Sequence, residues 1–437
     1  MTLWAGRVGG ALAPEVWEFL RADDAELLPY DCAATLVHAR RLAAAGILTA
    51  DELADVEEAL GRVEAAAPED EDVHSALERQ LGDVGRKIHA GRSRNDQVAA
   101  ALRLYVDDAC VEADSGVRSL CGVVLDRAEA EAESPLPGYT HLQRAIPVTL
   151  GHHLLAWVEM LERDLVRFAA ARAAAAPSPL GAGALAGSTL ELPPPERLEA
   201  PAAKPPTSGR TTGAPSAPER LEASSAPQGA QARNSLDAVA DRDFAVDYLY
   251  ACTVFFGHLS RIGEELVLWS SSEFGFVRLP EAAATGSSMM PQKLNPDVAE
   301  LLRGKAGTML GRLTGLLAVL KGQPLAYNRD LQEDKPPVFA ARRDVRLALA
   351  ALEVLLRELD FDRGRMAATA ADPNLRATDV AEQRVREGAA FRDAHEEVAG
   401  QLRAGTFEPP AVSLPRVAPG PADVAAAVAA ARARLGS

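Results

Sequence analysis

What most constrains the fold of this chain is the length of its uninterrupted helical patterns. From His153 onward, Leu154, Val158, Leu161, Leu165 and Phe168 recur at spacings of three and four, with Glu162, Arg163 and Arg167 between them. That is the period of one apolar face of an α-helix. Similar stretches without internal proline run over 98–133, 244–272, 296–320 and 340–359. No series of alternating β-branched segments with turn signals competes with them, so the chain is expected to be all-α. At about 1.5 Å per residue such helices are long rods, suited to an elongated bundle. Aromatic residues are 5% of the chain against 48% apolar residues, so the interior must be built from Ala, Leu and Val. Wide faces of Ala and Leu also point to burial beyond one chain, in a homo-oligomer.

A chain of 437 residues supports two or three cores of ordinary size. The 46 Lys and Arg against 62 Asp and Glu give a net charge of −16, which excludes a general binder of nucleic-acid backbones. Cys32, Cys110, Cys121 and Cys252 are widely spaced, which argues against a disulfide framework or a zinc ribbon. The opening residues lack the apolar core of a signal peptide, and the longest apolar run, 309–320, is interrupted by Arg312. A soluble, cytoplasmic protein is therefore expected, with no membrane partner. One segment, 191–233, is crowded with Pro, Ala, Ser and Gly and carries Pro-Glu-Arg-Leu-Glu-Ala twice, at 195–200 and 218–223. Its composition reads as a mobile surface insertion.

Four stretches carry groups suited to chemistry. In Gly286-Ser287-Ser288-Met289-Met290-Pro291-Gln292-Lys293-Leu294-Asn295-Pro296-Asp297 a small-residue loop meets a helix start, with Asn295 as N-cap and Pro296 as first helical residue. Lys293, Asn295 and the free N–H groups of that helix suit a small carboxylate, although an ordinary surface loop reads the same way on spacing alone. In Gly91-Arg92-Ser93-Arg94-Asn95-Asp96-Gln97, Ser93, Arg94 and Asn95 form either a carboxylate fork or a plain helix cap. In Gly138-Tyr139-Thr140-His141-Leu142-Gln143-Arg144, His141 precedes a helical run and is either a general acid–base or a satisfied core histidine. Tyr327-Asn328-Arg329-Asp330-Leu331-Gln332-Glu333-Asp334-Lys335 packs many hydrogen-bonding groups, or is a solvated charged turn. There is no dinucleotide loop, phosphate loop, nucleophile elbow or metal-ligand spacing, so chemistry without a metal or cofactor is expected on an anionic small molecule.

Taken together these stretches resemble the fumarase/aspartase superfamily, whose signature is close to the 286–295 segment. Within it the pattern is most similar to the argininosuccinate lyase family, through 91–97 (GRSRNDQ), 138–144 (GYTHLQR), 179–189 (PLGAGALAGST), 234–244 (NSLDAVADRDF) and 327–335 (YNRDLQEDK). The resemblance covers nearly all of the chain outside 191–233. It implies an all-α, three-domain fold: an N-terminal helical domain over 1–92, a central long-helix bundle over 93–365 and a small helical domain over 366–437. It also implies a homotetramer whose active sites are each assembled from three chains, and the reversible β-elimination of argininosuccinate to arginine and fumarate in arginine biosynthesis.

By the same resemblance Ser287 is the base, on a loop that closes over the substrate. His141 handles the other proton transfer, Glu300 raises the basicity of His141, and Lys293 holds developing negative charge. Asn295 shares with Lys293 the holding of that charge. Ser93, Arg94, Asn95 and Thr140 resemble fumarate-end contacts; Tyr327, Gln332 and Lys335 resemble the remaining substrate contacts, and Asp72 and His74 match a further substrate-proximal motif. The chain departs from the family pattern at Leu20, where a Ser is expected, at Leu77 for Asn, at Arg329 for Lys and at Pro336 for Glu. Two other readings remain at this point: a superfamily lyase acting on adenylosuccinate or aspartate, and a non-catalytic homologue of the kind found in eye lenses.

Overall fold

The structure, a computed structural model, describes residues 12–67, 69–196, 198–201, 231–409 and 423–436. Long helices dominate it, and the strands among the described residues form only two-stranded ribbons. The expected rods appear as Arg94–Ala130, Leu150–Ala175, Asp243–Ser270, Asp297–Leu320 and Lys335–Glu358. Two of them start four or more residues earlier than the apolar period alone indicates. Arg94–Ala130 begins four residues upstream because Ser93 and Asp96 cap it: the Ser93 N–H donates to Asp96 Oδ1 at 2.9 Å, and the Asn95 N–H donates to Ser93 Oγ at 3.3 Å. Lys335–Glu358 runs back through Pro336 and Pro337. Prolines fit there because the first N–H groups of a helix have no partner within it.

The described residues divide into two compact units. The first comprises 114 and below with 165–254 and 307–346; the second comprises 115–164, 255–306 and 347 onward. In the first, Ala99, Ala100, Ala101 and Leu102 are all fully buried, so this part of the Arg94–Ala130 helix is covered on every side. Small side chains allow that close approach. A second cluster joins Ala39, Leu42, Leu48, Val56, Leu77, Leu81 and Ile88, and Leu192 packs against it. Arg41 Nε also donates to the Pro193 carbonyl at 2.7 Å. The segment read as a mobile insertion thus begins tied to this core, while most of it, 202–230 with the second hexamer, lies outside the described residues.

In the second unit Trp157 and Trp269 stack with ring centroids 5.9 Å apart, and Trp157 Nε1 and His153 Nε2 converge on Glu265 Oε2 at 2.6 and 2.8 Å. Ahead of the Leu150–Ala175 helix the chain forms a β-ribbon, Pro135–Thr140 against Gln143–Thr149, where only a loop before a helix is expected from the residue pattern. Gly138 makes its register shift possible: a Cβ there would lie 2.3 Å from the Ile146 carbonyl oxygen. No helix among the described residues is long and apolar enough to cross a membrane.

Candidate active site

The first unit gathers Asp72, His74 and Arg94 around a buried charge cluster. Asp72 caps the helix Val73–Gln80, its Oδ1 accepting the Ser75 N–H at 2.8 Å, while its Oδ2 meets the Arg94 guanidinium. His74 is 2% exposed; its Nδ1 lies 2.8 Å from Asp31 Oδ2 and its Nε2 4.0 Å from Asp24 Oδ2. Gln97 Nε2 donates to both oxygens of Asp31, at 3.0 and 2.8 Å, and the Val73 N–H donates to Asp24 Oδ1 at 3.1 Å. Burial alone would push the His74 imidazole down, but the Asp31, Asp72 and Asp24 carboxylates outweigh it and raise its pKa on balance. Burial alone would raise Asp31, but the His74 charge and hydrogen bond pull it below the usual carboxylate range. Asp24 stays raised, by its burial.

This pair makes stability depend on pH in a definite direction. The raised His74 contributes fully below its unfolded value of about 6.5, and its contribution disappears as pH climbs through the folded value. The depressed Asp31 contributes above about pH 4 and is lost as pH falls through its folded value. His74→Gln is therefore expected to lower stability by about 3 kcal/mol between these limits, because it strips a buried carboxylate of its cation. Thermal unfolding of both proteins from pH 4.5 to 9.5 checks this (about one step per unit); the gap must narrow on the alkaline side, and a widening gap would contradict the assignment.

Ser93 and Asn95 lie at the start of the Arg94–Ala130 helix beside the glycine-rich turn after Pro179. Asn95 Nδ2 donates to the Ala184 carbonyl at 3.0 Å, and Asp96 Oδ2 accepts the N–H groups of Gly181 and Gly183 at 3.2 and 2.9 Å. The 327–335 stretch folds as a 3-10 turn, Arg329–Asp334, leading into the next helix. Arg329 Nη2 donates to the Leu20 carbonyl at 2.6 Å and to Glu71 Oε1 at 2.8 Å, and Gln332 Nε2 reaches the Arg21 carbonyl at 3.3 Å. Two of the departures from the family pattern, Leu20 and Arg329, therefore touch each other. Lys335 is buried, with Nζ on the Leu331 carbonyl at 3.2 Å and on Asp334 Oδ1 at 2.9 Å; Tyr327 is half-buried.

The second unit carries the remaining candidates on two ribbons. Thr285–Gly286 pairs with Leu294–Asn295, so Ser287, Lys293 and Asn295 share one hairpin. Asn295 is thus a strand residue, its Nδ2 donating to Thr285 Oγ1 at 3.3 Å, and the helix starts at Asp297. The N-cap position expected at Asn295 falls on Pro296, whose carbonyl accepts the Glu300 N–H at 3.0 Å. Ser287 Oγ accepts the N–H groups of Met289 and Met290 at 3.2 and 3.0 Å, and the Lys293 side chain is exposed.

Thr140 and His141 sit at the tip of the other ribbon, where Thr140 pairs with Gln143. His141 and Leu142 both have φ of 56°, the left-handed values of a two-residue hairpin turn, without the Asn or Gly that normally adopts them. His141 is exposed, not a core histidine. Such backbone strain is found chiefly where function holds it. No hydrogen bond or ion pair joins the two ribbons among the described residues, and Glu300 faces Arg303 on its own helix at 3.8 Å. Sequence reasoning missed Asp31, Gln97 and Asp96. For Asp31 the available signal was a lone charge in a largely apolar helical run, whereas Asp96 and Gln97 lie inside the 91–97 stretch itself and were given no role there.

A family model described as a lyase matches residues 22–311. An argininosuccinate lyase of Synechococcus sp. (strain JA-3-3Ab) is 46% identical over 414 residues, covering 91% of this chain and 79% of the relative. One from Acidothermus cellulolyticus is 48% identical over 412 residues, with 91% and 79% covered. Among solved structures, an EDDS lyase in complex with formate superposes with a TM-score of 0.74 at 25% identity, covering 98% of this chain and 91% of that one. On this likeness in sequence and fold, the chain belongs to the argininosuccinate lyase family of the fumarase/aspartase superfamily.

Proposed function

We propose that this chain splits argininosuccinate reversibly into arginine and fumarate, as a homotetramer in the cytoplasm. The observation that carries the chemistry is the seat of Ser287. The hard step removes a proton from carbon beside a carboxylate, and a serine hydroxyl is far too weak an acid to supply an anion for it in water. Two backbone N–H groups aimed at Ser287 Oγ, with Lys293 on the same hairpin, stabilise that anion without reorganisation. Met289 is 88% exposed beside it, an apolar side chain suited to a loop that closes over substrate and excludes water.

In this reading Ser287 Oγ takes the proton, and the C–H electron pair passes into the carboxylate to form a dianionic aci-carboxylate. Lys293 and Asn295 hold that charge. Its collapse forms the fumarate double bond and breaks the C–N bond, and a protonated His141 donates its proton to the departing guanidinium nitrogen. Ser93, Arg94, Asn95 and Thr140 hold the fumarate end; Asp72, Tyr327, Gln332 and Lys335 take the remainder. His74, sealed under three carboxylates, contributes by fixing Asp72. Glu300 supports His141 from another subunit, since within one chain it faces Arg303.

The tetramer is supported by the face of the Asp297–Leu320 helix. Gly304, Gly307, Gly311 and Gly315 fall on one stripe, and a Cβ at any of them would meet nothing within 4 Å. Leu310 and Leu317 flank it, 55% and 49% exposed. Four exposed glycines cost a lone helix about 1 kcal/mol each, a cost offset where other helices pack closely on them. The free cysteines agree with a reducing compartment. Purified protein should release fumarate, seen as ultraviolet absorbance, from argininosuccinate, with a solution mass of four copies. A folded tetramer that releases none would end the proposal.

A further inference from the structure

We propose that Asp96 is a positioning residue for this reaction: one of its oxygens fixes the Ser93 backbone and the other fixes the glycine-rich turn that holds the Asn95 side chain, so that both groups meet the fumarate end of the substrate. This rests on the reading that Ser93 and Asn95 contact that end. Asp96 is 0% exposed. Its Oδ1 accepts the Ser93 N–H at 2.9 Å, and its Oδ2 accepts the N–H groups of Gly181 at 3.2 Å and Gly183 at 2.9 Å, 85 and 87 residues further along the chain. The turn so held is closed where the Gly187 N–H donates to the Ala182 carbonyl at 2.7 Å. From this turn the Ala184 carbonyl takes one N–H of the Asn95 amide at 3.0 Å, and the second amide N–H is left for a carboxylate. Ser93 Oγ accepts the Asn95 backbone N–H at 3.3 Å, which leaves its hydroxyl proton to donate as well.

Helix capping accounts for only half of this arrangement. The pairing of Ser93 with Asp96 at the start of the Arg94–Ala130 helix needs one oxygen. The other oxygen reaches out of the helix to a separate segment. Burial pushes the Asp96 carboxyl above its ordinary value, in spite of the three N–H groups and the charges of Arg92 and Arg41 beside it. Those two cations are bonded elsewhere, Arg92 Nη1 to Thr35 Oγ1 at 2.8 Å and Arg41 Nε to the Pro193 carbonyl at 2.7 Å. A carboxyl raised by folding costs stability at neutral pH, which an uncharged asparagine cap would avoid. Asparagine cannot do the same work, because its amide has a single acceptor oxygen and would turn its NH2 toward N–H groups on one side. The carboxylate thus fits a demand for two acceptors facing two segments, not for a cap.

Inhibition by the two products tests this. In Asp96→Asn the inhibition constant for fumarate should rise at least about tenfold, while that for arginine stays within about threefold of the parent. A purely structural Asp96 would loosen the site for both products alike. Equal rises, or a fumarate constant unchanged in folded D96N, therefore overturn the inference. If D96N fails to fold, Gly183→Ala carries the test from the other side of the contact. Gly183 has φ of 58°, and a Cβ there would lie 2.8 Å from the Gly187 carbonyl oxygen, so the turn must move off Asp96. G183A should show the same fumarate-selective rise, and equal rises or an unchanged fumarate constant overturn the inference there too. Fumarate release by the parent protein is measured first: its absence overturns the reaction and the inference with it, whereas an active parent with unselective variants overturns the inference alone.

Discussion

Ser287→Ala is expected to lower fumarate release from argininosuccinate by a factor of about a thousand or more while leaving the fold intact. Oγ is the only atom removed, and its contacts are local. It accepts the N–H groups of Met289 and Met290 within its own hairpin, and neither Met289 nor Met290 is a core residue. The hairpin stays closed by the Thr285–Asn295 pairing and by Asp297 Oδ2, which accepts the Thr285 N–H at 3.1 Å. Unfolding should thus shift by less than about 1 kcal/mol, since a typical hydrogen bond on an exposed loop contributes no more. The chemical loss is large because the two N–H groups remain and have no oxyanion to serve. A water drawn to the same donors would be a poor substitute, lacking both the tether and the alignment. A variant retaining more than about a tenth of parental activity would show that Ser287 does not take the proton, and would move the search for the base to His141.

How far that site could be read in advance depended on whether its parts were local in sequence. The 286–297 segment was legible because its small residues, lysine and helix start lie next to one another, and the long helices because a period of 3.6 repeats over many turns. The His141 ribbon was not, since its turn residues are His and Leu where two-residue hairpins normally show Asn-Gly. The N-cap shifted from Asn295 to Pro296 for a tertiary reason: Asn295 is taken by strand pairing with Thr285. Asp31 was invisible because it lies 43 residues from the histidine it charges. Arg242 was part of a recognisable motif, yet only the fold brings it to Asp334, 92 residues away. Groups that lie next to one another in sequence leave local signatures; partners that only the fold brings together do not.

The other large effect concerns assembly. Gly307→Leu with Gly311→Leu should reduce the solution mass from four copies toward one and cut fumarate release by at least about a hundredfold. Both positions lie on the exposed stripe of the Asp297–Leu320 helix, where a Cβ added to either glycine would have no neighbour within 4 Å in the subunit. The Cβ of a leucine there meets no neighbour within 4 Å in the subunit, and replacing glycine in a helix interior favours that helix by up to about 1 kcal/mol per site. In a tetramer the same side chains would be forced into a close helix–helix contact four times over, at about 1–3 kcal/mol each. Stability of the isolated subunit and integrity of the assembly should therefore move in opposite directions. Circular dichroism would show helix content kept or raised while sedimentation shows dissociation. On the proposed reading activity should fall with the mass, because among the described residues His141 and Ser287 stand on separate ribbons with no bond joining them, and the proposal has copies of the chain bring them to one substrate. Wild-type activity in a folded, dissociated variant would mean that each subunit holds a complete site, and an intact tetramer would mean that this glycine stripe faces water in the native enzyme.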